Sequence, residues 1–196
     1  MPTVELLSIT PNATDLIKTA CSMPYGKDIS DKVLQGIIAS GHTSVLEHAV
    51  ASFHVKCSVR VLGQITRHRF LSFTVKSARA RAFNAFVHPR GKTPLITNEG
   101  DYSYELDAYR GALDAGLPFE EAAYWLPQGV ETEFVVTGNF REWLHYLGLR
   151  LCKRAMPEHQ KLAREIFKIL KREVPQVFDR KILKCGDCPE RSCSFK

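Results

Sequence analysis

SVRVLGQITRHRFLSFTVKSAR, residues 58–79, opens at helical period, and that spacing predicts a helix over 58–69. Gln64 lies three residues before Arg67 and four before His68, which puts these polar groups on one helix face near its C-terminal end. Arg69, Ser72, Ser77 and Arg79 carry the polar patch into a segment where hydroxyls and guanidinium forks alternate with apolar residues. Forks chelate phosphate or carbonyl oxygens, and hydroxyls fill the remaining acceptor positions. This is chemistry that grips a phosphorylated, planar ligand. On charge alone, a solvated basic face serves equally well.

Upstream, residues 4–9 read as a short strand and 13–23 as a helix with Leu16, Ile17 and Ala20 on one face. Ser30 caps a second helix, Val33, Ile37 and Ile38 recur at helical spacing along it, and Gly41 follows its end. Residues 41–48 then form a turn, and 49–56 alternate as a strand does. Downstream, 84–105 is irregular, helices are expected at 105–115 and 118–125, and 130–136 looks like a strand. Asn139 caps the next helix with Glu142 three residues on, and Phe140, Leu144, Leu147 and Leu151 supply its buried stripe. A last long helix covers 157–173. Helices framing a few antiparallel strands imply an α+β fold, a small antiparallel sheet flanked by helices, and not a βαβ series. No repeat or linker divides the chain, so 1–180 reads as a single domain and 181–196 as a cysteine-bearing C-terminal tail.

With 44% apolar and 24% charged residues in 196, the composition is that of a folded globular domain. No apolar run approaches the roughly 20 residues that span a bilayer. The opening MPTVELLSITPNATDL has neither the basic nor the apolar region of a signal peptide, so a soluble, cytoplasmic protein without a membrane partner is expected. A net charge of +6 favours anionic partners without separating nucleic acid from a phosphorylated metabolite.

The order of residues is more specific than the charge. Arg67, His68, Arg69, Ser72, Ser77 and Arg79 stand in the register of RHRxxSxNxxSxR and meet six of its seven fixed positions, so the segment resembles the signature of the flavin-dependent thymidylate synthases. Gly41-His42-Thr43-Ser44 with Glu47-His48 resembles that family's GHxS/TxxEH segment. Ser22 matches an early flavin-side serine, Leu126-Pro127 an LP turn, and Asn139, Arg141, Leu149 and Arg150 the late NxR and LR pair.

The resemblance implies FAD contacts at Ser22, His42, Ser44, Arg67, His68, Arg69, Asn139 and Arg141. It implies uridylate contacts at Gln64, Arg67, Ser77, Ala78, Arg79 and Arg150. It further implies a homotetramer with FAD sites between subunits, methylation of dUMP to dTMP, and methylenetetrahydrofolate and NADPH as co-substrates. Arg150 and Arg79 are the candidates for stabilising charge that develops on the uracil carbonyls, and His68 for tuning the flavin or positioning folate. No cysteine lies in the signature, consistent with cofactor chemistry in place of a thiol nucleophile.

The chain departs from the pattern at Thr74 (asparagine in the family), Val75 (commonly acidic), Ala80 (tyrosine), Ala123 (the arginine of ARxxLP) and Met156 (the glutamine of HAQ). These changes fall mainly on the nucleotide side, where Arg81, with Lys76 second, is the candidate to replace a phosphate-binding cation if 79–81 is extended. An alternative is a flavoprotein of this fold that acts on another pyrimidine nucleotide or is catalytically silent. A basic nucleic-acid-binding module is the competing class, but it leaves the ordered matches at His42, Glu47, Asn139 and Arg150 unexplained. Outside the resemblance, Cys185, Cys188 and Cys193 have a spacing that can wrap zinc or iron, with the fourth ligand of a closed site from His159, a distant cysteine or a neighbouring subunit, or are the thiols of a frayed terminus.

Overall fold

A computed structural model describes residues 2–24, 26–87, 103–183, 185, 188–190 and 192–193. Four antiparallel strands, β1 (Thr3–Ile9), β2 (Val50–Ser58), β3 (Ser72–Val75) and β4 (Glu131–Asn139), form one sheet in the order β1-β2-β4-β3. The α+β class with a small antiparallel sheet is as the sequence implied. Alternation sets the two faces: Phe53 and Val55 of β2 lie opposite Val136 and Phe134 of β4 and are buried. The other face carries Ser52 and Thr137, whose hydroxyls bond at 2.8 Å, and His54, Lys56 and Glu133.

The helices are α1 (Ala13–Ser22), α2 (Asp31–Ala39), α3 (Val59–Ile65), α4 (Ser103–Asp114), α5 (Phe119–Ala122), α6 (Phe140–Arg150), α7 (Pro157–Glu173) and α8 (Pro175–Phe178). The main core joins the apolar sheet face to Ile17, Leu34, Trp143, Leu147, Leu162 and Ile166. A smaller cluster of Phe83, Leu106, Tyr109, Ala122 and Val130 lies apart from it. Ser30 and Asn139 cap α2 and α6 as their sequences suggest, each side-chain oxygen accepting a backbone N–H three residues on.

Three expectations change. The turn at 41–48 contains a 3-10 helix, Ser44–His48. The helix expected over 58–69 ends at Ile65: Thr66 still bonds the Leu62 carbonyl through its N–H and its hydroxyl, and the chain then reverses through His68 N–H to Ile65 O. The signature arginines therefore sit on a turn between α3 and β3, not on a helix face. β3 itself, Ser72–Val75, is a strand that the helical reading passed over. Leu71 packs the turn against the sheet: a Cβ on Gly138 would lie 2.2 Å from Leu71 Cδ2, so a larger residue there would push the leucine aside. Of the expected irregular stretch 84–105, residues 88–102 lie outside the described residues.

Buried Glu158 at the start of α7 ties that helix to the N-terminus of α3. Its carboxylate accepts the Ser58 N–H at 2.8 Å and the Ser58 hydroxyl at 2.7 Å, while Ser58 Oγ accepts Val61 N–H as the α3 cap. Replacing Glu158 with alanine strands a buried donor and removes a charge-assisted bond, and should cost about 2–4 kcal/mol. The check is the denaturant midpoint, and a shift equivalent to under about 0.5 kcal/mol, the range of ordinary surface changes, would contradict the clamp.

Candidate functional site

On the turn after α3, Arg67 and Arg69 face solvent, and His68 between them turns inward with 5% of its surface exposed. Arg150, the last residue of α6, donates Nε–H to His68 Nε2 at 3.0 Å and Nη2–H to the Gln64 carbonyl at 3.4 Å. Arginine does not give up its proton, so the accepting Nε2 must carry a lone pair. The imidazole is thus neutral, with its proton on Nδ1, 3.4 Å from Glu142 Oε1. Burial, then Arg150 and His145, hold its pKa down to about 4, in agreement with that hydrogen-bond sense and against reading the Glu142 contact as an ion pair at neutral pH. Burial also raises the Glu142 carboxyl above its usual range.

Around this bond lie two adjoining cavities. One, of about 250 Å³, is lined by Arg67, His68, Arg69, Leu149 and Arg150 together with Phe70, Glu142 and His145. The last three also line a cavity of about 380 Å³ with Glu47, Asn139 and Arg141. Arg141 is paired with Glu47, which joins two distant segments of the sequence pattern. Four guanidinium groups around such a cleft suit an anionic ligand.

Beneath the cleft, Gln64 bonds through its amide to His159 Nδ1 at 3.2 Å and to Met156 Sδ at 3.6 Å. His159 is fully buried, and burial, followed by Arg150 and His68, holds its pKa down to about 3. The Tyr146 ring lies 5.0 Å from that of His68 and 5.7 Å from that of His159. Tyr146 Oη and His159 Nε2 are buried without a hydrogen-bond partner among the described residues.

The remaining expected residues stand elsewhere. β3 carries the chain roughly 10 Å from the arginine turn, at about 3.4 Å per residue. There Ser77 Oγ accepts the Arg79 N–H at 3.2 Å, Ala78 packs on the smaller cluster, and Arg79 forms a bidentate pair with Glu120 at 2.8 and 2.9 Å. Residues 78–80 are a turn and not a strand, so Arg81 does not share a strand face with Arg79; it pairs with Glu133 at 3.1 Å. Lys76 Nζ sits over the Phe83 ring at 4.5 Å. Ser22 bonds the Thr19 carbonyl, and neither it nor His42 nor Ser44 lines the two cavities.

Among the described residues, the ligand atoms that gather to within 4.8 Å of one another are those of His68, Glu142 and His145, not those of Cys185, Cys188 and Cys193. The Arg150 bond works against a metal there, because an ion on Nδ1 would have to displace the proton that Nε2, as acceptor, forces onto it. Glu142, His145, Phe70 and Tyr146 were missed as site residues, and His159, a candidate fourth ligand for the tail cysteines, instead lies buried against Gln64. Glu142 and His145 recur at i and i+3 on α6, a shared face that the helical pattern contained.

The sequence model of a family described as "Thymidylate synthase complementing protein" matches residues 5–176. A flavin-dependent thymidylate synthase of Geobacter sulfurreducens is 32% identical, over 95% of this chain and 90% of its own. One of Sulfolobus acidocaldarius is 39% identical, over 89% and 75%, and one of Pyrococcus horikoshii 30% identical, over 97% and 91%.

Below pH 6.5 an unfolded histidine takes up a proton that folded His68 and His159 refuse until about pH 4 and about pH 3. Stability therefore falls as pH drops through that window and returns above it, and Glu142, which binds a proton more readily when folded, offsets part of the loss. Tm should fall between pH 7 and 5, and more gently in His159→Leu. A Tm unchanged across that range would contradict the neutral, buried imidazoles.

Proposed function

The chain belongs to the thymidylate synthase complementing protein family, and on that premise we propose that it is a flavin-dependent thymidylate synthase. It methylates dUMP to dTMP, with FAD as cofactor and methylenetetrahydrofolate and NADPH as co-substrates. The observation that carries this reading is the cleft in which Arg67, His68, Arg69 and Arg150 meet Asn139 and Arg141, bringing together segments from separate parts of the family pattern.

The donor set fits FAD. Exposed Arg67, Arg69 and Arg141 offer forks to a diphosphate, and Phe70, with 83% of its surface exposed, offers an aromatic face to a planar ring. When bound, the flavin supplies the redox chemistry and relays the one-carbon unit from folate to nucleotide. Ser22, His42 and Ser44 would reach FAD from outside the two cavities described.

On the nucleotide side Gln64, Arg67 and Arg150 hold the uridylate. Two of Arg150's five N–H groups are bonded to His68 and Gln64, and these bonds orient the guanidinium before substrate arrives. Its remaining N–H groups stabilise negative charge as it develops on the uracil ring, and because the orientation is preset, little reorganisation accompanies the step. His68, neutral and fixed, accepts from Arg150 and so positions it.

Ser77, Ala78 and Arg79 would complete the nucleotide site from another copy of the chain, in a homotetramer. This is supported by the separate partners of Arg79 and Arg150, and by apolar surface such as Phe70 and Trp125 left exposed in one chain. Arg79 and Glu120 are both largely exposed, so their pair is worth little and a phosphate group can displace it. Arg81 can join the phosphate only by leaving Glu133.

The purified protein should bind FAD, change its flavin absorbance on addition of dUMP, and form dTMP when methylenetetrahydrofolate and NADPH are supplied. Changing both Arg67 and Arg69 to alanine should weaken FAD binding at least about tenfold through lost charge-assisted bonds. A chain that binds no FAD, or binds it equally well after both changes, would overturn the assignment.

A further inference from the structure

The Gln64 side chain is held at both ends by residues that begin α7. Met156 Sδ lies 3.6 Å from Nε2, and His159 Nδ1 lies 3.2 Å from Oε1. These neighbours determine which way the amide points. A thioether carries lone pairs and no hydrogen, so it pairs with the NH2 end, and the carbonyl oxygen faces His159. His159 therefore donates from Nδ1–H, and its other nitrogen keeps the lone pair that finds no partner among the described residues.

The two contacts differ in strength. Sulfur is a weak acceptor, and a contact of 3.6 Å to it can be given up for little. His159 is fully buried, neutral, and fixed on a helix that Glu158, its neighbour in sequence, clamps to the start of α3. The chain has methionine where the family pattern has glutamine, so Met156 cannot hold the amide firmly and the duty falls to the residue one turn along.

We propose that His159 is a positioning residue of the nucleotide site: it fixes the Gln64 amide with the NH2 end toward Met156, where a free N–H can pass to an acceptor atom of the nucleotide. This rests on the reading above that Gln64 holds the uridylate. A histidine inside the core thereby decides how a residue beneath the cleft meets substrate.

The test is a double-mutant cycle on the FAD-loaded protein, read as the dUMP constant from flavin absorbance together with KM and kcat. His159→Leu should raise the dUMP constant about tenfold, the worth of one hydrogen bond, with FAD content unchanged. His159→Asn, which can present an N–H where Nδ1 stands, should recover most of the loss. In a Gln64→Ala background, His159→Leu should change nothing further, because its effect passes through the amide. An equal loss in both backgrounds, an unchanged constant, or no rescue by asparagine would overturn the proposal. Absence of any dUMP response in the wild type would overturn the nucleotide reading and this inference with it.

Discussion

The bond from Arg150 Nε–H to His68 Nε2 constrains the rest of the site, because one partner cannot lose its proton and the other is buried. The imidazole is consequently neutral, and its remaining hydrogen turns toward Glu142. With His68 directed inward, Arg67 and Arg69 on either side point into solvent. The short turn is held from below by Leu71, which occupies the space left by Gly138. One donor thus sets a tautomer, orients a guanidinium and presents two more to the cleft. The same bond accounts for a metal-like grouping of His68, Glu142 and His145 that is poorly suited to a metal.

The sheet supplies the second constraint. β3 begins beside the arginine turn, with Ser72 opposite Thr137, and runs to Val75 opposite Phe134. Everything after it belongs to different neighbours: Ala78 packs with the smaller cluster, and Arg79 and Arg81 engage Glu120 and Glu133. A signature continuous in sequence is divided in space by four residues of strand. Such a division suits the proposed assembly with shared sites, in which one copy would supply Arg150 and another Arg79 to the same nucleotide.

Local rules were legible in the sequence where local physics decided the outcome. Ser30 and Asn139 cap helices because their side chains reach N–H groups three residues away, and β2 and β4 alternate because one face is buried. The end of α3 was hidden because apolar spacing continued past it, while the reversal is closed by the His68 N–H on the Ile65 carbonyl. β3 was hidden because Ser72-Phe73-Thr74-Val75 is a strand only when β4 lies beside it. Arg67, Arg69, Asn139, Arg141 and Arg150 were found by pattern, and the structure gathers them around one cleft. The contacts of His159 with Gln64 and of Glu158 with Ser58 span 95 and 100 residues, and no spacing rule connects positions so far apart.

Arg150 and Arg79 of different copies are proposed to serve one nucleotide. Arg150→Ala and Arg79→Ala chains, each inactive alone, can be unfolded, mixed in equal amounts and refolded together with FAD, then assayed for dTMP formation. Random assembly should restore sites that draw an intact residue from each type of chain, about a quarter of the total if both halves come from different copies. Activity no greater than that of the two variants refolded separately would contradict a shared site and confine both arginines to a single chain.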